Sequence, residues 1–203
     1  MNRVLILFAH PRFEKSRANR ALLEEVGSLT HIRLHDLYEE YPDFNVDVER
    51  EKALLLDHPI IIWQHPIYMY GAPPLLKQWI DLVLEYGWAH GKEGNRLRGK
   101  KILNALTAGG TRDVYARGGH NGYPLREFLA PFEQTARLCK MIYLPPFVVH
   151  GTYLLTDGQM KAYGQLYRAL LERLTREECN LDTLRQYEYL NDWLVAQNGW
   201  VVQ

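Results

Sequence analysis

Cysteine is scarce in this sequence: among 203 residues, only Cys139 and Cys179 carry a thiol. Two isolated thiols do not make the framework of a disulfide-rich domain, and they lack the spacing of a cysteine-ligated metal site. We therefore expect no metal centre, and we expect the chain to work in a reducing compartment, the cytoplasm.

The sequence also lacks a surplus of positive or negative charge, because 24 Lys and Arg residues balance 24 Asp and Glu residues. Without a basic cluster the sequence gives no sign of nucleic-acid binding, and without an acidic surplus it does not match an electron shuttle that docks by charge. No hydrophobic run approaches the roughly 18 residues that indicate a membrane-spanning helix. The first residues enter a predicted strand at once, which is not the pattern of a signal peptide.

Apolar residues make up 47% of the chain, and their clearest pattern lies between Ile60 and Leu84. The unbroken run from Ile60 to Trp63 predicts a strand buried on both faces of a parallel sheet. Pro73 and Pro74 suit the first turn of a helix. The inner face of that helix carries Leu75, Leu76, Trp79, Ile80, Val83 and Leu84. The loop between strand and helix therefore lies at the carboxyl end of a central strand, where open α/β sheets bind ligands.

The same patterns predict the remaining elements. Further strands are expected at residues 3–9, 31–37, 101–106 and 141–149, the last interrupted by Pro145 and Pro146. Helices are expected at 16–27, 49–56, 124–140 with a kink at Pro131, 158–176 and 181–197, with a loop at 38–47 and a tail containing Trp200. This alternation predicts an α/β fold: a doubly wound five-stranded parallel sheet with helices on both faces. Residues 1–176 would form the domain, and residues 177–203 a C-terminal helical extension packed on it.

Three loops at predicted strand ends should converge at one edge of the sheet. The loop from His10 to Asn19 offers an imidazole, a hydroxyl and a helix N-terminus, which together suit a phosphate. The loop from Pro66 to Tyr70 offers flat or soft side chains, although its spacing alone equally allows that it caps the core. The loop from Ala108 to Thr111 offers glycine backbone that can approach a ring closely. A phosphate pocket beside a flat apolar slot is typical of flavin mononucleotide (FMN), and no Gly-x-Gly-x-x-Gly follows the first strand to indicate a dinucleotide.

Short motifs throughout the chain carry a family resemblance. They are Ala9-His10-Pro11 with Ser16-x-x-Asn19, Leu37-Tyr38, Tyr41-Pro42-Asp43-Phe44, Gln64-His65-Pro66, Pro74-Leu75-Leu76-Lys77-x-Trp79-Ile80-Asp81, Gly87-Trp88-Ala89 and Thr107-x-Gly109-Gly110. Over residues 3–174 the chain resembles the flavodoxin-like NAD(P)H:quinone oxidoreductases, most closely the ancillary proteins of glutathione-regulated potassium-efflux systems. The Tyr-Pro-Asp-Phe and Gln-His-Pro motifs are particular to that ancillary branch.

The resemblance implies a flavodoxin-like fold that binds FMN rather than FAD, with NAD(P)H as co-substrate. The cofactor-binding residues it implies are His10, Ser16, Arg17, Ala18, Asn19, Pro66, Ile67, Tyr68, Met69, Tyr70, Ala108, Gly109, Gly110 and Thr111. It also implies a catalytic pair over the flavin, Tyr115 and His120, although polar residues of a glycine-rich loop can equally be idle. Tyr68 and Met69 depart from the Gln-Trp common in the wider family, and Thr111 replaces a small residue.

The function implied by this resemblance is a two-electron, ping-pong reductase of quinones or other small electrophilic acceptors. The ancillary branch further implies a regulatory partnership with a potassium/proton antiporter at the cytoplasmic face of the inner membrane. We expect a homodimer, because the loop at residues 86–99 carries Tyr86, Trp88 and His90 and family reductases complete each pocket with a second subunit. A free-standing quinone or stress-response reductase with no antiporter partner remains the alternative.

Overall fold

The computed structural model describes residues 1–176 and 178–198, and a parallel β-sheet lies at its centre. The strands are β1 (Val4–Phe8), β2 (Ile32–Asp36), β3 (Ile60–Pro66), β4 (Lys101–Thr107), β5 (Ile142–Tyr143) and β6 (Phe147–Val149). Their order is β2-β1-β3-β4-β5, β6 also pairs with β4, and every pairing is parallel. This is the doubly wound sheet that the sequence predicts, whereas the predicted tail with Trp200 lies outside the described residues.

The last strand position is shared by two short pieces. β5 pairs with the first residues of β4, and β6 pairs with its last residues. Pro145 and Pro146 separate the pieces, because proline has no amide hydrogen for the ladder and is excluded from strand interiors. The expectation of five strand positions is therefore confirmed, with the break where the two prolines predict it.

Helices cover both faces of the sheet in the described part of the chain. They are α1 (Arg17–Glu24), α2 (Leu37–Glu40), α3 (Val48–Asp57), α4 (Pro74–Val83), α5 (Leu125–Phe128), α6 (Ala130–Leu138), α7 (Asp157–Arg176), α8 (Leu181–Leu184) and α9 (Leu190–Asn198). The predicted loop at 38–47 is wrong at its start, because Asp36 Oδ1 accepts a hydrogen bond from the Tyr38 amide at 3.0 Å and caps α2. The predicted helix at 124–140 divides at Leu129, near the kink expected at Pro131.

The prediction of one helix over residues 181–197 is wrong, since the chain leaves α8 and passes beside β6 before α9 begins. The Leu190 amide donates to the Pro146 carbonyl at 2.9 Å. The Asn191 side chain then accepts from the Val148 amide at 2.8 Å and donates to the Val148 carbonyl at 3.1 Å. These tertiary bonds outweigh the helical periodicity of the sequence.

Alternate strand residues face two separate cores. Leu5, Leu7 and Ile61 belong to the core that contains residues of α3, α4 and α6. Their neighbours Val4 and Ile6 belong to the core that contains residues of α1, α7 and α9. Burial on both faces explains why these strands are continuously apolar in sequence. The second core also includes four buried residues of the C-terminal segment, Leu184, Leu190, Trp193 and Leu194.

Glu51 of α3 is a buried carboxylate with 0% of its surface exposed. Its Oε1 accepts hydrogen bonds from His35 Nε2 at 2.8 Å and from the Tyr41 hydroxyl at 2.6 Å, and its Oε2 accepts from Trp79 Nε1 at 2.7 Å. These three bonds connect β2, the Tyr41-Pro42-Asp43-Phe44 motif and α4 to α3. That motif therefore contributes to the packing of one face of the sheet through its first residue.

Candidate functional site

The three predicted loops meet at the carboxyl edge of the sheet, where they line one open cleft of about 690 Å³. This volume lies within the roughly 300–1,000 Å³ typical of small-molecule sites. The lining residues are His10, Arg12, Lys15, Ser16, Arg17, Ala18, Pro66, Ile67, Tyr68, Met69, Tyr70, Thr107, Gly109, Gly110, Val114, Tyr115, Asn121, Thr152 and Tyr153. Of the predicted cofactor-binding residues, Asn19, Ala108 and Thr111 do not line the cleft.

The N-terminus of α1 forms one end of the cleft. Ser16 caps this helix, and its Oγ accepts from the Asn19 amide at 3.3 Å and from Asn19 Nδ2 at 3.2 Å. Asn19 is fully buried; its Nδ2 also donates to Thr107 Oγ1 at 3.1 Å, and its Oδ1 accepts from Gln64 at 3.2 Å. Gln64 in turn accepts from the Tyr167 hydroxyl at 3.0 Å. Asn19 thus stands behind the cleft and orients Ser16, whose own hydroxyl hydrogen is left to donate into it.

His10 presents a neutral hydrogen-bond donor beside this helix end. Its Nδ1 accepts from the Arg12 amide at 3.1 Å, so in the neutral ring the proton lies on Nε2. Nε2 is 3.5 Å from the Tyr68 hydroxyl. Burial lowers the pKa of His10, and this effect outweighs the nearby Glu14 charge, which raises it. At neutral pH the ring therefore offers an N–H group to an anion.

Three cations also line this end of the cleft. Arg17 is held in place, because its Nη2 donates to Asp157 Oδ1 at 2.6 Å and to the Leu155 carbonyl at 3.2 Å. The side chains of Arg12 and Lys15 have no hydrogen-bond or ion-pair partner within residues 1–176 and 178–198. Among the described residues, the cleft lining contains no Asp or Glu. The helix end, the imidazole and the unpaired cations together favour an anionic group such as a phosphate.

The second loop makes a strained two-residue hairpin turn at the mouth of the cleft. Tyr68 and Gly71 exchange backbone hydrogen bonds of 3.0 and 2.9 Å. Between them, Met69 and Tyr70 have φ angles of 44° and 64°, a left-handed conformation that costs an L-residue about 1–2 kcal/mol. The turn leaves Met69 91% exposed and places the Tyr70 ring 4.9 Å from that of Phe128. Backbone strain of this kind clusters at ligand sites.

The third loop lines the cleft with the backbone of two glycines, Gly109 and Gly110. A Cβ added at Gly109 would lie 2.5 Å from the ring of Tyr153, so that ring would have to shift to make room for it. Ala108 is buried beside this turn with 1% of its surface exposed. Thr111 is partly buried, and its methyl carbon lies 3.2 Å from where a Cβ on Gly151 would be. Neither of these two residues lines the cleft.

The two predicted catalytic residues differ in position. Tyr115 is 8% exposed and lines the cleft beside Gly110. Burial raises the pKa of Tyr115, more than contact with Asn121 lowers it, so the hydroxyl stays protonated at neutral pH. His120 is exposed and does not line the cleft. Its neighbour Asn121 does, and Asn121 Oδ1 accepts from the Tyr70 hydroxyl at 3.4 Å.

Sequence reasoning misses several lining residues, namely Arg12, Lys15, Thr107, Val114, Asn121, Thr152 and Tyr153. Thr152 and Tyr153 follow β6, so the rule that ligands bind beyond strand ends would find them if it were applied to the last strand. The charges of Arg12 and Lys15, inside the first loop, signal an anion site. Asn121 carries no comparable signal, because its place in the cleft depends on the path of an irregular loop.

Comparison with known proteins gives one family and several relatives. The family model described as flavodoxin-like fold matches residues 2–174. The glutathione-regulated potassium-efflux system ancillary protein KefG of Yersinia pestis (strain Pestoides F) is 42% identical over 175 residues, which is 86% of this chain and 96% of the relative.

Two solved structures share both sequence and fold with this chain. General stress protein 14 of Treponema denticola, determined in complex with FMN, is 38% identical with a TM-score of 0.81, and the match covers 85% of this chain and 99% of that one. An NADPH-quinone reductase of P. pentosaceus is 29% identical with a TM-score of 0.73, covering 85% of this chain and 97% of that one. Within the part of the chain that the structure describes, no helix has the length and apolar character to cross a bilayer.

Proposed function

Since this chain belongs to the flavodoxin-like fold family, we propose that it is an FMN-dependent NAD(P)H:quinone oxidoreductase that acts as an ancillary subunit of a potassium/proton antiporter. The observation that carries the proposal is the cleft itself, which joins a cationic helix end to a flat aromatic slot without a lining carboxylate among the described residues. The similarity to an NADPH-quinone reductase supports the reaction, and the 42% identity to KefG supports the partnership.

The residues present fit FMN by charge and by shape. The phosphate would bind where Ser16 and the first amides of α1 meet His10 Nε2–H, with Arg12 and Lys15 providing countercharge. The ring system would bind between the turn at 68–71 and the backbone of Gly109, which has no side chain to keep a ring away. The Treponema denticola protein, which is 38% identical to this chain, was determined in complex with FMN, and that complex supports this assignment.

Bound FMN would supply two-electron hydride chemistry, which no side chain of the cleft provides. The chain itself would bind and orient the reactants. Ser16 and neutral His10 would donate hydrogen bonds to the anionic end, and the turn at 68–71 would shield one side of the slot from water. The protonated hydroxyl of Tyr115 would act as a hydrogen-bond donor that stabilises negative charge developing on the ring system.

We assign Tyr115 and His120 as the catalytic pair within this proposal. Tyr115 already lines the cleft, whereas His120 lies outside the lining, five residues further along the same loop. Gly118 and Gly122, with φ angles of 85° and 71°, flank His120 and give the loop conformations that other residues rarely adopt. The imidazole would join the hydroxyl when the nicotinamide or quinone is bound, in a ping-pong sequence.

As part of this proposal, the protein would work in the cytoplasm and reach the inner membrane through its partner. We also propose a homodimer that completes each cleft. Tyr86 of the loop at 86–99 is 77% exposed, and near the cleft Met69, Tyr153 and Leu154 are 91%, 85% and 75% exposed. Apolar side chains exposed in this way are typical of interaction surfaces. Residues 1–176 would form the flavin-binding domain, with residues 177–203 as its extension.

A free-standing stress-response reductase is the second candidate. The similarity to general stress protein 14, with a TM-score of 0.81, favours this candidate, because the name of that protein mentions no antiporter. The two candidates share the cleft and the reaction, and they differ only in the partner. An assay of the partner therefore distinguishes them, while an assay of flavin binding tests both.

The test starts with flavin binding by the purified protein. FMN at 100 times its Kd should add about 2.7 kcal/mol to the free energy of unfolding, and the loaded protein should oxidise NADPH in the presence of a quinone. No change in melting temperature and no flavin spectrum at saturating FMN would refute both candidates. If the protein is active but has no effect on potassium efflux in vesicles that contain the antiporter, the free-standing reductase is the correct assignment.

A further inference from the structure

The loop that carries Tyr115 is fastened to the C-terminal segment by Arg112. Its Nη1 and Nη2 donate to the two carboxylate oxygens of Asp192 at 2.8 Å each, and Nη2 also donates to Glu188 at 3.1 Å. The guanidinium carbon lies 4.7 Å from the centre of the Tyr189 ring. These bonds raise the pKa of Arg112 further above its ordinary value. Arg112 thus combines a bidentate pair with one carboxylate, a hydrogen bond to a second carboxylate and stacking on an aromatic ring. These are the contacts that bind a guanidinium most strongly.

A row of aromatic rings continues from this contact to the cleft. The Tyr189 ring centre is 5.4 Å from that of His150, and the His150 ring centre is 6.0 Å from that of Tyr115. Neither ring nitrogen of His150 has a hydrogen-bond partner among the described residues. Burial lowers the pKa of His150 to about 4, so the ring is neutral and acts here as a flat packing surface. The C-terminal segment is therefore linked, through one ring, to a residue that lines the cleft.

The C-terminal segment can hold the loop because it is itself fixed to the sheet. Leu184, Leu190 and Leu194 are fully buried in the core, and Asn191 bonds both backbone groups of Val148 in β6. The family match ends at residue 174. The three partners named for Arg112 therefore lie beyond the part of the chain that the family model accounts for.

We propose that Asp192, Glu188 and Tyr189 are positioning residues for the flavin site. They hold Arg112, and with it the turn from Gly109 to Tyr115, in the conformation that forms one side of the cleft. This inference rests on the proposed function for the identity of the ligand. The contact itself is a property of the protein alone and can be measured without FMN.

The test compares Asp192→Asn, Arg112→Gln and the double variant with the parent. Asp192 and Arg112 are 34% and 51% exposed in their side chains, so the variants should fold. Asp81→Asn is the matched control, because it removes an exposed Lys77 partner on α4, away from the cleft. Two quantities are measured: the Kd for FMN, and amide hydrogen exchange of residues 109–116 in the FMN-free protein.

Each single variant should raise the Kd roughly five- to thirty-fold, within the range for contacting charged pairs. The double variant should raise it no further than the larger single effect, and exchange at 109–116 should become faster. Asp192→Glu, which keeps the carboxylate, should restore most of the affinity. The control should match the parent in both measurements.

The outcomes separate this inference from the proposed function. If the parent does not bind FMN, the proposed function fails, while the exchange measurement still decides whether the segment orders the loop. If the parent binds FMN and the variants match it in Kd and exchange, the positioning role is refuted. If Asp192→Asn melts much earlier than the parent, Glu188→Gln replaces it as the milder change, and an unchanged Kd and exchange there refute the role as well.

Discussion

Replacing Glu51 with Gln tests the buried network that fixes α3 and α4 to the sheet. The carboxylate accepts three hydrogen bonds, two at Oε1 and one at Oε2, and has no exposed surface. Glutamine is nearly the same size but has one acceptor oxygen and one NH₂ group. Trp79 Nε1 can only donate, so the amide oxygen must face it, and the NH₂ group then faces His35 Nε2 and the Tyr41 hydroxyl, which must both change from donor to acceptor.

The cost follows from the loss of the charged acceptor. A hydrogen bond to a charged group is worth about 1.5–3 kcal/mol and a neutral one about 0.5–1.5 kcal/mol, so Glu51→Gln should lower the free energy of unfolding by about 1–3 kcal/mol at pH 7. For a chain of this size, the melting temperature falls about 2–4 °C per kcal/mol. Glu51→Ala leaves all three donors unpaired and should cost about 3–5 kcal/mol.

The effect should depend on pH in a defined direction. Burial alone would raise the pKa of Glu51, but the hydrogen bonds from His35, Tyr41 and Trp79 outweigh it, so the pKa falls below its ordinary value of 4.5. A lowered carboxyl pKa stabilises the fold above the unfolded-state pKa, and this stabilisation is lost as pH falls through the folded-state pKa. The difference between parent and Glu51→Gln should therefore be full at pH 7 and shrink below about pH 4.

Urea unfolding followed by circular dichroism at pH 7, 5 and 3.5 measures these differences. Glu49→Gln is the control on the same helix, because the Glu49 side chain is 82% exposed and its ion pair with Lys52 is worth about 1 kcal/mol at most. If Glu51→Gln stays within about 0.5 kcal/mol of the parent at pH 7, the range for ordinary surface changes, the reasoning about the charged acceptor is wrong.

Three further predictions concern the cleft. Ser16→Ala should raise the Kd for FMN about ten-fold or more in a fluorescence titration, because it removes a charge-assisted hydrogen bond as well as the helix cap; an unchanged Kd would place the phosphate elsewhere. Tyr115→Phe and His120→Ala should each slow the reduction of bound flavin by NADPH, measured by stopped flow, roughly ten- to a thousand-fold, or about 1.4–4 kcal/mol. If both variants reduce flavin at the parental rate, neither residue is catalytic. Met69→Asn should raise the melting temperature by about 1–4 °C, because asparagine tolerates the left-handed conformation; a lower melting temperature would show that the exposed methionine makes contacts of its own.

The parts of the fold that the sequence predicts are those set by burial and by local chemistry. β1 and β3 appear as continuous apolar runs because both faces of the sheet are covered. Pro145 and Pro146 mark the break between β5 and β6 because their missing amide hydrogens act locally. The cleft follows from these strands, since its first three loops are strand ends.

The features that escape prediction depend on tertiary contacts. α9 starts late because Asn191 binds β6, a partner distant in sequence. The turn at Met69 and Tyr70 contradicts local preference, because such turns normally take asparagine and glycine. Asn19 matches a phosphate-site motif, yet its side chain points to Thr107 and Gln64, and only packing decides that rotamer.

The bond pair between Asn191 and Val148 has a consequence for synthesis of the chain on the ribosome. The side-chain amide supplies one acceptor and one donor, as a neighbouring strand would, and so occupies the outer edge of β6. An unpaired strand edge invites pairing with another chain. Because Asn191 follows Val148 by 43 residues, translation at about 5–20 residues per second separates the synthesis of the two by roughly two to nine seconds. During that interval the nascent chain contains β6 but not the side chain that later covers its edge, so a ribosome-associated chaperone would have this edge to protect.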